Sequence, residues 1–138
     1  MNSVLNKRLL LVDDEELNLF IGKQFLSNTY DVDVAKTGYD ALDMIEMNHY
    51  DLILLDINLG DERMDGIRVM RTIKALPKYR KTKIIAVTAH SDARDWYMHE
   101  GFDELFLKPL AREGMLDLLE RVQEIPRAQH AVYVQQVA

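Results

Sequence analysis

The chain has 138 residues, of which 48% are hydrophobic and 29% charged, with a net charge of −6 and no cysteine. That length fills one domain core, and the composition is that of an ordinary globular chain rather than a disordered or membrane-spanning one. The acidic balance argues against direct nucleic-acid binding, the lack of cysteine removes disulfides and thiolate metal sites, and the apolar runs are too short for a bilayer span or a signal peptide, so a cytoplasmic protein is the expectation.

Arg8–Val12 is a continuous apolar run and reads as a first strand. A helix beginning near Glu15 follows, with Leu17, Phe20, Ile21, Gln24 and Phe25 at three- and four-residue spacing as its inward stripe. Asp31–Ala35 alternates polar and apolar residues, as an edge strand does. Tyr39 to Met47 offers a second helix through Leu42 and Ile45, and Asp51–Leu55 a central strand. Ile67, Met70, Ile73 and Leu76 mark a third helix that Pro77 stops, because proline lacks the backbone donor and restricts the residue before it. Lys83–Val87 is another central strand, Ser91 can cap a fourth helix that ends at Gly101, and Glu104–Leu107 is a fifth strand. Met115, Leu118, Leu119 and Val122 form the stripe of a fifth helix ending before Pro126.

Strands alternating with helices are the signature of crossover units around a parallel sheet. The expected class is α/β: a flavodoxin-like, doubly wound five-stranded parallel sheet in order 2-1-3-4-5 with five surrounding helices. Residues 7–125 form that unit, residues 1–6 an N-terminal extension, and residues 126–138 a tail that is either disordered or an interaction segment.

In this topology, ligands bind at the carboxyl ends of the strands. There stand Asp13 and Asp14 after strand one, Asp56 after strand three, Thr88 after strand four and Lys108-Pro109 after strand five. Two unit charges about 4 Å apart repel by roughly 4 kcal/mol at an effective dielectric near 20, so three converging carboxylates call for a cation. Mg²⁺ suits an oxygen-only site of this kind. Asp56 is the best nucleophile, since a carboxylate with a pKa near 4 is ionised at neutral pH and needs no base. Lys108 and the Thr88 hydroxyl would stabilise a phosphoryl group arriving there. Taken singly, Asp13-Asp14-Glu15-Glu16 could merely cap a helix, Asp56 close a turn, and Lys108 be a solvated charge. Four such positions at neighbouring strand ends are not what independent causes produce. The histidines at 49, 90, 99 and 130 lack metal-ligand spacing, and of Trp96 and Tyr97 one must face away from the core.

The runs Leu9 to Glu15, Leu52 to Asp56, Ile84 to Ala89 and Leu107-Lys108-Pro109 resemble the defining motifs of two-component response-regulator receiver domains of the CheY-like, stand-alone kind. The resemblance implies a phosphoacceptor role for Asp56, direct Mg²⁺ ligation by Asp14, largely water-mediated ligation by Asp13, and a backbone carbonyl ligand from Asn58. It places the switch hydroxyl at Thr88 and the lysine at Lys108, whose bond to Pro109 would be cis. It further implies a histidine kinase or histidine phosphotransfer protein as donor, a downstream protein partner, and room for a homodimer through the face of helix four, strand five and helix five. Two alternatives stand beside it. One is a haloacid-dehalogenase-like phosphatase, although Asn58 occupies the position of that family's general acid; the other is an interaction module that is never phosphorylated.

The chain departs from the receiver pattern in two places. Gly60 replaces a usual proline, in a 58–66 stretch two residues longer than common that forms an acidic flap beside the site. Leu105 replaces the usual aromatic residue three positions before the lysine. Phe106 comes one place too late and should face the opposite side of the strand, so weak or rearranged threonine–aromatic coupling is expected.

Overall fold

The computed structural model of the chain describes residues 7–124. The proposed extension 1–6, the whole tail 126–138 with His130, and the last residue of the expected 7–125 unit lie outside the described residues. Five strands, β1 (Arg8–Val12), β2 (Asp31–Ala35), β3 (Leu52–Asp56), β4 (Lys83–Thr88) and β5 (Glu104–Leu107), form one parallel sheet in the order β2-β1-β3-β4-β5. Five helices intervene: α1 (Glu16–Leu26), α2 (Gly38–Met47), α3 (Gly66–Lys74), α4 (Arg94–Glu100) and α5 (Arg112–Gln123). None is long and apolar enough to cross a membrane.

The sheet explains why the central strands read as unbroken apolar runs. Leu10, Val12, Ile53, Leu55, Ile84, Ala86 and Leu105 face α2, α3 and α4, where Ala41, Ile45, Val69, Ile73 and Tyr97 meet them. Leu9, Leu11, Leu52, Leu54, Ile85, Val87 and Phe106 face α1 and α5, against Leu19, Leu26, Met115, Leu118, Leu119 and Val122. Successive strand residues thus enter opposite cores, and both must be apolar. On the edge strand β2, only Val32 and Ala35 are buried.

Several local expectations are corrected. The inward face of α1 is Leu19, Gly22 and Leu26, and of the expected stripe Phe25 packs partly buried against the same core, whereas Leu17 and Phe20 are 68% and 63% exposed. Both stripes obey helical spacing; which one turns inward is decided by Leu9 and Leu11 beneath the helix. The third helix stops at Lys74, and Pro77 opens a 3-10 turn, Pro77–Tyr79. The fourth begins with a 3-10 turn at Ser91–Ala93, leaving Ala93 rather than Ser91 at the start of the α-helix. Asp56 and Thr88 close their strands from within, one residue beyond the expected ends. Of the aromatic pair on α4, Trp96 is the one that faces away from the core, half exposed, and Tyr97 is buried, in line with the expectation that only one could turn inward.

Candidate functional site

Backbone bonds draw the strand ends together. Asp13 donates its amide to the Ala35 carbonyl at 3.1 Å, Ile57 to Val87 at 3.1 Å, and Lys108 to Thr88 at 2.9 Å. One oxygen from each of Asp13, Asp14 and Asp56 comes within 4.8 Å of the others. Asp13 and Asp56 are each 2% exposed, so water does little to screen them, while Asp14 is more open. This crowding of carboxylates fits a metal site, on the donor chemistry alone.

Lys108 reaches into the group, its Nζ 2.7 Å from Asp56 Oδ2, and the peptide joining it to Pro109 is cis. The Asn58 amide donates to the other oxygen, Oδ1, at 3.0 Å. Burial nevertheless raises the Asp56 pKa above the usual carboxylate range: the Lys108 and Asn58 bonds pull it down, and the charge of Asp13 pushes it up again. On Lys108, burial acts downward, but the bond to Asp56 and the fields of Asp56, Asp13 and Glu15 outweigh it and leave the ammonium more basic than usual. An isolated ion pair would lower its acid. Here the acid rises with its base, because burial and the neighbouring carboxylate exceed what one ammonium offsets.

The acidic run does not cap α1. Glu15 holds the N-cap position, but its side chain accepts no bond from a backbone amide of the helix. Asp13 Oδ1 instead accepts from the Glu15 amide at 2.9 Å, and its Oδ2 from the Asn18 side-chain amide at 3.2 Å. Asn18 carries no signal in the sequence, since a polar residue in the first turn of a helix is ordinary.

The loop after β3 is shaped by glycine at two places. Gly60 has φ +78°, and a Cβ there would sit 3.1 Å from Asp14 Oδ2. At Gly66 a Cβ would lie 2.3 Å from the Asp56 carbonyl oxygen, so α3 can start against the strand only without a side chain. Asn58 Oδ1 accepts from the Gly60 amide at 3.1 Å and is thereby engaged in the turn. An amide so placed supplies no acid for a leaving group, against the phosphatase alternative. Thr88 is buried at the end of β4, its hydroxyl oxygen accepting from the His90 amide at 3.3 Å. Leu105 and Phe106 enter opposite cores, as their strand positions require. No aromatic residue of β5 therefore lies on the Thr88 side.

Residues 9–120 match the family model of the response regulator receiver domain. The chain belongs to that family, whose members serve as phosphoacceptor domains in signalling, and it is a signalling domain of this kind rather than a conventional enzyme. Over 122 residues it is 35% identical to the signal transduction histidine-protein kinase BarA of Shigella flexneri, covering 86% of this chain and 13% of that protein. It is 34% identical over 125 residues to the response regulator ArlR of Staphylococcus aureus, covering 88% of this chain and 53% of that one. The chain thus spans only part of the curated relatives it matches. Among solved structures, it resembles the receiver domain of the sensor histidine kinase PA1611 from Pseudomonas aeruginosa PAO1, with a magnesium ion coordinated in its active site cleft. The TM-score is 0.77 and the identity 28%, over 87% of this chain and 99% of that one.

Proposed function

We propose that Asp56 accepts a phosphoryl group from a phosphohistidine in a Mg²⁺-dependent reaction, and that the product changes a protein-interaction surface. The observation that carries this reading is the 2.7 Å contact of Lys108 with Asp56 inside a group of three close carboxylates. One ammonium against three carboxylates leaves negative charge to be neutralised. Asp13, Asp14 and Asp56, with the Asn58 backbone carbonyl, would hold Mg²⁺, a reading supported by the magnesium in the similar PA1611 cleft. When bound, the ion offsets the charge of the carboxylates and of the transferring phosphoryl group.

The chain's own residues do the rest. An Asp56 carboxylate oxygen forms the bond to phosphorus as the phosphorus–nitrogen bond of the donor breaks; the electron pair leaves with the imidazole, which takes a proton from solvent. The Asn58 amide holds the remaining carboxylate oxygen in line. Lys108 passes from Asp56 to a phosphoryl oxygen, and Thr88 turns its hydroxyl to donate to another. Small acyl phosphates can serve as donors by the same step, and attack of water on the phosphorus of the aspartyl phosphate releases inorganic phosphate and restores the Asp56 carboxylate.

The donor is a sensor histidine kinase or histidine phosphotransfer protein, in the cytoplasm, and the receiver unit is residues 7–125. Output runs to a downstream protein through α4, β5 and α5, a face that could also pair with a second copy. Intact-mass spectrometry after treatment with acetyl phosphate and Mg²⁺ tests the assignment. Wild type is expected to gain one phosphoryl group, and neither Asp56→Asn nor an EDTA-treated sample to gain any. Labelling that persists in Asp56→Asn would overturn it.

A further inference from the structure

We infer that Asn18 is a positioning residue of the metal site, an inference that rests on the reading of Asp13 as part of that site. Its side-chain amide divides its two hydrogens between carboxylates, one on Asp13 Oδ2 at 3.2 Å and the other on Glu15 Oε1 at 3.2 Å. Asp13 is 2% exposed, so donors on its oxygens come from the protein. The Glu15 amide holds Oδ1 at 2.9 Å. A carboxylate held at one oxygen still turns about its last torsion, which is broad; a donor on each oxygen fixes its plane. Asn18 supplies the second donor, and each oxygen keeps a lone pair for a cation or its water.

The residue type matters as much as the place. Asn18 stands in the first turn of α1, five residues after Asp13, where the chain reverses from strand into helix. A lysine or arginine there could make the same bond but would repel an entering divalent ion. The amide is neutral, so it orients the acid without opposing the metal. Hydrogen-bond partners behind metal ligands commonly govern affinity by about 10- to 100-fold.

Isothermal titration of magnesium chloride into the full chain tests this in wild type, Asn18→Leu and Asn18→Ala, with melting temperatures in EDTA measured alongside. Leucine keeps the volume and loses both donors, alanine loses donors and bulk together, and both favour helix more than asparagine does, so α1 is expected to persist. Each variant is expected to bind Mg²⁺ about 10-fold more weakly while still melting as a folded chain in EDTA. Labelling by acetyl phosphate should need about 10-fold more Mg²⁺ for half its maximal rate, the rate at saturating Mg²⁺ being retained. Wild-type affinity in either variant overturns the positioning role. A wild-type chain that takes up no Mg²⁺ overturns the proposed function itself.

Discussion

Asp56 is buried at the end of β3, and the proposed phosphoryl transfer needs it ionised. Burial and the field of Asp13 hold its pKa above that of an ordinary aspartate, while Lys108 and the Asn58 amide limit the rise. A group whose pKa is raised by folding stabilises the fold fully below its unfolded pKa, and that contribution is lost as pH rises through the folded value. At neutral pH and without metal, ionised Asp56 is therefore a cost to the fold. Asp56→Asn removes the charge and keeps the shape, so it is expected to melt higher than wild type in EDTA at pH 7. The gap should narrow as the pH is lowered and wild-type Asp56 takes up its proton. A variant that melts lower than wild type at pH 7 would show that the Lys108 pair outweighs burial. Such a locally strained arrangement is common where a site serves chemistry rather than stability.

At the scale of one element, α1 shows the division of labour most plainly. Its Leu19 is packed over β1, and Leu17, two residues earlier, stands in solvent. Leu19→Ala is expected to cost about 2–3 kcal/mol in denaturant unfolding, and Leu17→Ala to stay within about 0.5 kcal/mol of wild type. Equal losses would mean that the helix is turned the other way. Strand β5 makes a related point. Leu105 packs with Tyr97 and Phe102 on the α4 side, and Phe106 lies among Leu118 and Leu119 on the other. The ring contacts on the α4 side join Tyr97 to Phe102 and to Trp96, edge to face, so α4 supplies the aromatic character that β5 lacks there.

For the whole molecule, the ends of the sheet have different chemistry. The carboxyl ends carry the acids and Lys108. The opposite end is closed by polar contacts and an ion pair: Tyr50 donates to Asp33 at 2.6 Å, Tyr79 shares its one hydroxyl proton between the Ile45 and Asn48 carbonyls, and Arg8 meets Asp33 at 2.7 Å. Burial raises the pKa of Tyr50 and Tyr30, and pushes that of Tyr79 up to about 12. Unfolded tyrosine ionises near pH 10, so the stability these phenols contribute is full below about pH 10 and is lost as pH climbs towards about 12. Alkaline titration followed by phenolate absorbance and melting temperature tests this. Tyr30, Tyr50 and Tyr79 should ionise only as the melting temperature falls across that window. Early ionisation of all of them in the folded state would contradict their burial.

Strand order and the placement of Asp13, Asp14, Asp56, Thr88 and Lys108 at strand ends are legible in the sequence, because a strand buried on both faces must be apolar throughout and its end is marked where polarity returns. What only the tertiary structure decides is orientation and proximity. Two stripes on α1 satisfy the same period, and the packing of β1 and α5 selects Leu19 over Leu17. The bond from Asn18 to Asp13, the approach of Gly60 to Asp14 and the balance of charge on Asp56 depend on distances between segments far apart along the chain. Periodicity reports which residues are apolar and how often they recur, whereas electrostatics and hydrogen bonds depend on separations of a few ångströms that only the folded chain sets.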